Sequence, residues 1–176
     1  HIARKRKPGQ FVIIRTDENG ERIPLTIADV DKARGAISII VQGVGKSTRQ
    51  LNAMDEGDAI LDLAGPLGRA TEIHPGRSVC CIGGGIGTAV VYPIACGVKA
   101  LQGHVVAIIG GRSKDLVILE KELRAAVDHV VVTTDDGSYG QKGLVTDALK
   151  ALIAEGRHFD EVVAVGPLPM MRAVVE

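Results

Sequence analysis

The stretch Val79-Cys80-Cys81-Ile82-Gly83-Gly84-Gly85-Ile86-Gly87-Thr88-Ala89 decides the fold. Its apolar start reads as a buried strand over Ser78–Ile82, and the glycines make a turn. From Thr88 a helical pattern runs to about Leu101, with Pro93 in its early turns. Strand, glycine turn and helix in that order bring backbone N–H groups to a helix N-terminus, where the dipole favours an anion such as a pyrophosphate. A tight strand-to-helix turn with no ligand has the same local pattern, so context decides.

The context is repetition. His104–Ile109 is a strand ending in Gly110-Gly111-Arg112-Ser113, and Ser113 can cap a helix carrying Leu116, Leu119 and Leu123 on one face. His129–Thr133 is a strand followed by Thr134-Asp135-Asp136-Gly137-Ser138-Tyr139-Gly140. Val145–Glu155 is a helix with Gly156 at its stop, Glu161–Val165 a strand, and Pro169–Val175 the start of a further helix. Such alternation is the signature of a parallel, doubly wound sheet, whose ligands bind at the carboxyl ends of the strands. The loops at Gly83, Asp135 and Gly166 therefore converge on one edge.

The first third reads differently. Phe11–Arg15 and Arg22–Ile27 flank the polar turn Asp17-Glu18-Asn19-Gly20, a hairpin pattern. Ala36–Gln42 and Ala59–Leu63 are further strands, Ser47–Met54 is a short helix, and Gly65-Pro66-Leu67-Gly68 is a break. Short strands with few helices predict a small antiparallel barrel or sheet over residues 1–70, ahead of an α/β domain over 76–176. Gly43-Val44-Gly45-Lys46-Ser47-Thr48 is not a P-loop, since its spacing is too short, but a helix start with two hydroxyls suits a phosphate.

Composition narrows the function classes. Of 176 residues, 45% are hydrophobic, and the 21 Lys+Arg balance the 21 Asp+Glu, so no basic footprint for nucleic acid exists. No apolar run reaches the length of a membrane span. Cys80, Cys81 and Cys96 form no CxxC, and His74, His104, His129 and His158 lack ligand spacing, so no metal site is expected. Two adjacent cysteines in an apolar run fit a reducing, cytoplasmic setting. Aromatics make up only 2%, and Tyr139 is the one placed in a loop where it could stack on a ring.

A β domain with a phosphate-type loop, joined to a dinucleotide-type domain, resembles the ferredoxin–NADP reductase superfamily. Pro24-Leu25-Thr26, Ser47-Thr48, Gly65-Pro66-Leu67-Gly68, the GGGIG and GGRS loops, TTDDGSYGQKG and VGPLPMM carry the resemblance in order across nearly the whole chain. Within the superfamily the chain is most similar to the electron-transfer subunits of dihydroorotate dehydrogenase and to the small subunit of NADH-dependent ferredoxin:NADP oxidoreductase (sulfide dehydrogenase). The resemblance implies an FAD-binding β-barrel domain lacking its first strands, then a Rossmann-like NAD(P)H-binding domain lacking its end. It implies NADH as the favoured nucleotide, and a flavin that takes a hydride and passes electrons to an iron–sulfur centre. The family's [2Fe–2S] cysteines are absent here and would lie beyond Glu176. A catalytic or second flavoprotein subunit and a ferredoxin-like redox protein are the implied partners. A nucleotide-binding regulatory subunit without flavin and a relay subunit that never meets NAD(P)H are the alternatives.

Residue by residue, the resemblance implies that Thr26 meets flavin N5, that Pro24 and Leu25 line the ring, and that Ile40, Val41 and Gln42 run beside it. Ser47 and Thr48 would hold the flavin pyrophosphate. Gly84, Gly85, Gly87 and Thr88 would receive NAD(P)H, with Arg112, Asp135 and Asp136 around its ribose and amide ends and Pro167 and Met170 beside the nicotinamide. The superfamily's arginine three places before the Ser/Thr is replaced by Ile23, with Arg22 one place off.

Overall fold

The computed structural model describes all 176 residues, which divide into two compact units, His1–Thr71 and Glu72–Glu176. The first contains helix α1 (Ile2–Lys5), strands β1 (Phe11–Arg15), β2 (Ile23–Asp31) and β3 (Ala36–Ile39), helix α2 (Lys46–Asn52) and strand β4 (Asp62–Leu67). The strands form an antiparallel sheet in the order β3-β2-β1-β4. Alternation along β1 buries Val12 and Ile14, which join Ile27 in a small core capped by Ile2, Ile37, Ile39 and Leu51. The β1–β2 turn closes as expected: the Asp17 carboxylate accepts the Asn19 N–H at 2.8 Å, and the Asp17 carbonyl accepts that of Gly20 at 3.0 Å.

Two segments differ from the sequence expectation. The strand expected over Ala59–Leu63 runs instead over Asp62–Leu67, so Gly65-Pro66-Leu67 lies inside it, with a cis Gly65–Pro66 bond. A proline is tolerated there because β4 is an edge strand and needs no outward N–H. The Asp62 carboxylate, between Arg15 at 2.7 Å and Arg22 at 3.0 Å, pins the strand's start. Strand β3 stops at Ile39, which leaves Ile40, Val41 and Gln42 in the following connection.

The second unit contains β5 (Ser78–Gly84), α3 (Thr88–Ala100), β6 (His104–Gly111), α4 (Glu120–Ala126), β7 (His129–Thr134), β8 (Gln141–Lys142), α5 (Val145–Ala154), β9 (Glu161–Val165) and α6 (Leu168–Val175). All five strands are parallel, in the order β8-β7-β6-β5-β9. Adjacent residues point to opposite faces, so Cys81, Val105, Ala107 and Ile109 pack under α3 and α4, while Cys80, Ile82, Val106 and Ile108 pack under α5 and α6. Near-continuous burial along β5 and β6 is what a sheet covered on both faces requires.

The helix expected from Ser113 is broken. The chain makes one 3-10 turn, Lys114–Leu116, then passes through Leu119 in the left-handed region (φ 58°) before α4 begins. Ser113 does not cap: its hydroxyl donates to Asp115 at 2.5 Å, and the Lys114 N–H goes to the Ser138 hydroxyl at 2.9 Å. Of the three leucines only Leu123 is fully buried. Helix α1 and the two-residue strand β8 carry no sequence signal long enough to read.

Burial pushes the Cys80 and Cys81 thiols up to about 12. A thiol-reactive reagent at about pH 8 is therefore expected to leave both unlabelled in the folded chain and to label both in denaturant. Leu123→Ala should remove about 2–5 kcal/mol from the unfolding free energy of this unit, measured by urea titration.

Candidate functional site

In the second unit β5 is the strand from which the order departs in both directions, toward β6 on one side and β9 on the other. The crevice beyond the carboxyl ends of β5 and β9 is thus the topological switch point. Three glycines on its rim are fixed by geometry. Gly85 has φ +54° with open space where a side chain would be. A Cβ on Gly87 would overlap the Val165 carbonyl oxygen at the end of β9, and one on Gly84 would overlap the Met170 thioether. Gly84, Pro167 and Met170 therefore meet, as the sequence reading expected of their loops.

Thr88 contributes differently from the expectation. It is 1% exposed, and its N–H already bonds the Gly85 carbonyl, so it anchors the turn into α3. What remains open at the rim is the backbone at Gly85, a cradle that any Cβ would strain and partly fill. Open glycine backbone at a strand-to-helix turn leaves room for an anion such as a pyrophosphate.

The neighbouring strand ends bring Arg112, Asp135 and Asp136 together through backbone bonds. The Asp135 N–H donates to the Gly111 carbonyl at 3.1 Å and that of Asp136 to the Arg112 carbonyl at 3.2 Å. The Asp136 carboxylate accepts the Ser138 N–H at 2.9 Å, and its contacts with Ser138 hold its pKa below the usual carboxylate value. Tyr139, read from sequence as a possible stacking ring, is committed elsewhere. Its hydroxyl donates to Glu120 at 3.2 Å, which raises its pKa, and its ring lies 5.2 Å from the Lys114 ammonium. Thr134, fully buried, ties the loop from below by accepting the Tyr139 N–H and donating to the Tyr139 carbonyl.

In the first unit Pro24, Leu25 and Thr26 lie on β2, paired with Ile13, Val12 and Phe11 of β1. Leu25 packs on the core, so Pro24 and Thr26 share the opposite face. Ser47 is 8% exposed and donates to Glu21 at 3.3 Å. The Thr48 hydroxyl accepts the Val44 and Gly45 N–H groups at 3.1 and 2.9 Å and donates to the Gly45 carbonyl at 3.1 Å. Both hydroxyls are thus engaged within the protein, Ser47 on the hairpin and Thr48 on the loop, and what remains for an anion is the set of first-turn N–H groups of α2. Arg22 sits on Asp62, which occupies the side chain nearest in sequence to the superfamily's arginine. Gln50 donates to Asp17 at 2.5 Å, tying α2 to the hairpin turn and lowering the Asp17 pKa. No three His, Cys, Asp or Glu side chains come together to hold a metal ion.

No protein-family model matches the chain. It is 36% identical over 177 residues to the electron transfer subunit of dihydroorotate dehydrogenase B (NAD(+)) from Fusobacterium nucleatum, covering 97% of this chain and 68% of that one. The chain belongs to this electron-transfer subunit family. A homologue of that subunit from Thermotoga maritima is 46% identical over 171 residues, covering 97% of this chain and 60% of the relative. A solved structure of an NADH-dependent reduced ferredoxin–NADP oxidoreductase, a flavin-based bifurcating enzyme, shares 45% identity with a TM-score of 0.90, covering 97% of this chain and 61% of that chain. The cytochrome b5 reductase domain of Ulva prolifera nitrate reductase, 19% identical with a TM-score of 0.74, shares the fold. The chain thus spans about 60% of the first relatives it matches. No helix is long and apolar enough to cross a membrane.

The residues that sequence reading missed are Glu21, Lys114 and Glu120, together with the bond from Gln50 to Asp17, which hold the loops. The Asp17-x-x-Gly20 turn and the Glu120/Arg124 spacing were visible, but their partners lie far along the chain. Gly87→Ala is expected to destabilise the second unit by about 1–3 kcal/mol, because backbone rather than a flexible side chain must give way. Gly85→Ala, with room but the wrong φ, should cost about 1 kcal/mol. Thermal melts of the two variants separate close approach from backbone strain.

Proposed function

We propose that this chain is the flavin- and nicotinamide-binding part of an electron-transfer subunit. The first unit holds FAD and the second holds NADH. The observation that carries the reading is the meeting of Gly84, Pro167 and Met170 at the switch point, with the open Gly85 cradle beside them, in a chain of this family.

In the first unit Pro24 and Thr26 present one face of β2 to the isoalloxazine ring, and Ile40, Val41 and Gln42 run along it in extended connection. The Thr26 hydroxyl is the group offered to flavin N5. First-turn N–H groups of α2 receive the pyrophosphate, while Ser47 and Thr48 hold the loop that presents them. In the second unit the Gly85 backbone receives the dinucleotide pyrophosphate, Arg112 and Asp135 meet the adenosine end, and Pro167 and Met170 border the nicotinamide. When bound, the flavin would supply the chemistry, taking one hydride (two electrons with a proton) from the nicotinamide and releasing the electrons one at a time. The chain's own contribution is to bind and orient each ring within its own unit. Electrons leave toward an iron–sulfur centre and a catalytic partner subunit of the dihydroorotate dehydrogenase type, with a ferredoxin-like protein as the alternative acceptor, in the cytoplasm.

The intact subunit, reconstituted with FAD, should show flavin absorption that NADH bleaches under anaerobic conditions. Thr26→Val should retain FAD and slow that bleaching about tenfold, the effect of one lost hydrogen bond to the reacting ring. An unchanged rate would remove Thr26 from the reaction. Failure to retain FAD or to be bleached by NADH would overturn the assignment and favour a nucleotide-binding regulatory role.

A further inference from the structure

The loops after β6 and β7 are laced together, and the lacing sorts their polar side chains into two groups. One group is spent inside the protein. The Ser113 hydroxyl goes to Asp115, the Lys114 N–H to the Ser138 hydroxyl, and the Lys114 ammonium to the face of Tyr139. The Asp136 carboxylate takes the Ser138 N–H. Glu120 accepts from both the Tyr139 hydroxyl and the Arg124 guanidinium, at 3.2 and 2.8 Å. The other group is small. Arg112 and Asp135 give only backbone atoms to the lacing, and their charged ends take no hydrogen bond or ion pair.

That division has a consequence for binding. Ordering a flexible loop on binding costs free energy, and a loop already ordered binds more tightly by that amount. Arg112 and Asp135 sit at the carboxyl ends of adjacent strands, where a dinucleotide bound at the β5 turn places its adenosine half. Their backbones are joined through the bonds from Asp135 to Gly111 and from Asp136 to Arg112, so moving one loop moves both. The far end of the β7–β8 loop is held by the Tyr139 hydroxyl on Glu120, the first residue of α4. Left-handed Leu119 immediately precedes it, a backbone state that a leucine adopts only when its surroundings impose it.

We propose that Tyr139 is a positioning residue for the adenosine half of the dinucleotide, acting through Glu120 and Lys114 to hold Arg112 and Asp135 ready for the ligand. The inference rests on the proposed NADH site and deepens it. Asp136, read from sequence as a ligand contact, becomes part of the brace, and Arg112 and Asp135 are the contacts. Tyr139 touches neither nucleotide nor reacting atoms; it sets where the two loops stand.

The test titrates ADP-ribose into the intact subunit by calorimetry, which needs no flavin chemistry. Tyr139→Ala, losing ring and hydroxyl, should weaken ADP-ribose binding about tenfold. Tyr139→Phe keeps the ring beneath Lys114 and should lose only about threefold. The Michaelis constant for NADH should rise in step, with the limiting rate of flavin bleaching unchanged. Glu120→Gln, which weakens the Tyr139 hydrogen bond by removing the acceptor's charge, guards against a Tyr139→Ala chain that fails to fold and should shift binding in the same direction as Tyr139→Phe. Dissociation constants for ADP-ribose within about twofold of wild type in all three variants would overturn the proposal. Wild-type chain that is bleached by NADH but does not bind ADP-ribose would also overturn it, while leaving the electron-transfer reading intact. The converse result, ADP-ribose binding that weakens in the variants without any bleaching by NADH, would support the brace and remove the electron-transfer reading.

Discussion

The contact between the β5–α3 turn and the end of β9 is the constraint on which the second unit depends. At Gly87 the backbone of the turn meets the Val165 carbonyl with no room for a side chain, and at Gly84 it meets Met170. Those approaches let α3 start directly over the sheet and let β9 pair along β5 from Glu161 to Val165. They also create the switch point. With a wider turn, α3 and β9 would separate, and Pro167 and Met170 would no longer border the glycine loop. Packing and the geometry of the candidate site therefore share one cause.

The parallel sheet was legible because each of its long strands is a run of β-branched and small apolar residues bounded by glycine or a charge. Glu161–Val165 matches its expected bounds, β5 and β6 each extend by two residues into the glycines that follow, and β7 extends by one, to Thr134. Parts decided by distant partners were not legible. The break at Lys114–Leu116 depends on Ser138, 24 positions away in sequence. The start of β4 depends on Arg15 and Arg22, 47 and 40 positions away. A proline inside β4 reads locally as a stop and is accommodated only because no strand follows on that side. Strand β8, two residues long, exists only as the tail of the Asp135–Gly140 loop pairing back on Thr133 and Thr134.

At the candidate sites, the fold shows which polar side chains the loops keep for themselves. Residue type suggested that the hydroxyls of Ser47, Thr48 and Thr88 would face a phosphate. In the fold each is turned inward, onto Glu21, onto the Gly43–Lys46 loop, or under the strand end. Asp136 and Tyr139 follow the same pattern. A polar side chain in a glycine-rich loop has an unsatisfied backbone close at hand, and bonding it is often the lowest-energy choice before any ligand arrives. Function at such loops then falls to what the bracing leaves over.

What is left over here is mostly backbone. Aromatics make up 2% of the chain, and Tyr139 is engaged by Lys114 and Glu120. On the proposed reading, backbone N–H groups at α2 and the open backbone at Gly85 would meet an anion through dipoles that are fixed by the fold and need no side-chain ordering. Aliphatic and proline surfaces at Pro24, Ile40, Val41 and Pro167 offer contact area at little entropic cost, since proline and β-branched side chains lose few rotamers. A flavin held this way meets few polar groups apart from the hydroxyl of Thr26. In such surroundings a single well-placed hydrogen bond would have a large share in setting the ring's electronic balance, which is why the proposed reading rests the chemical leverage of the first unit on the Thr26 hydroxyl.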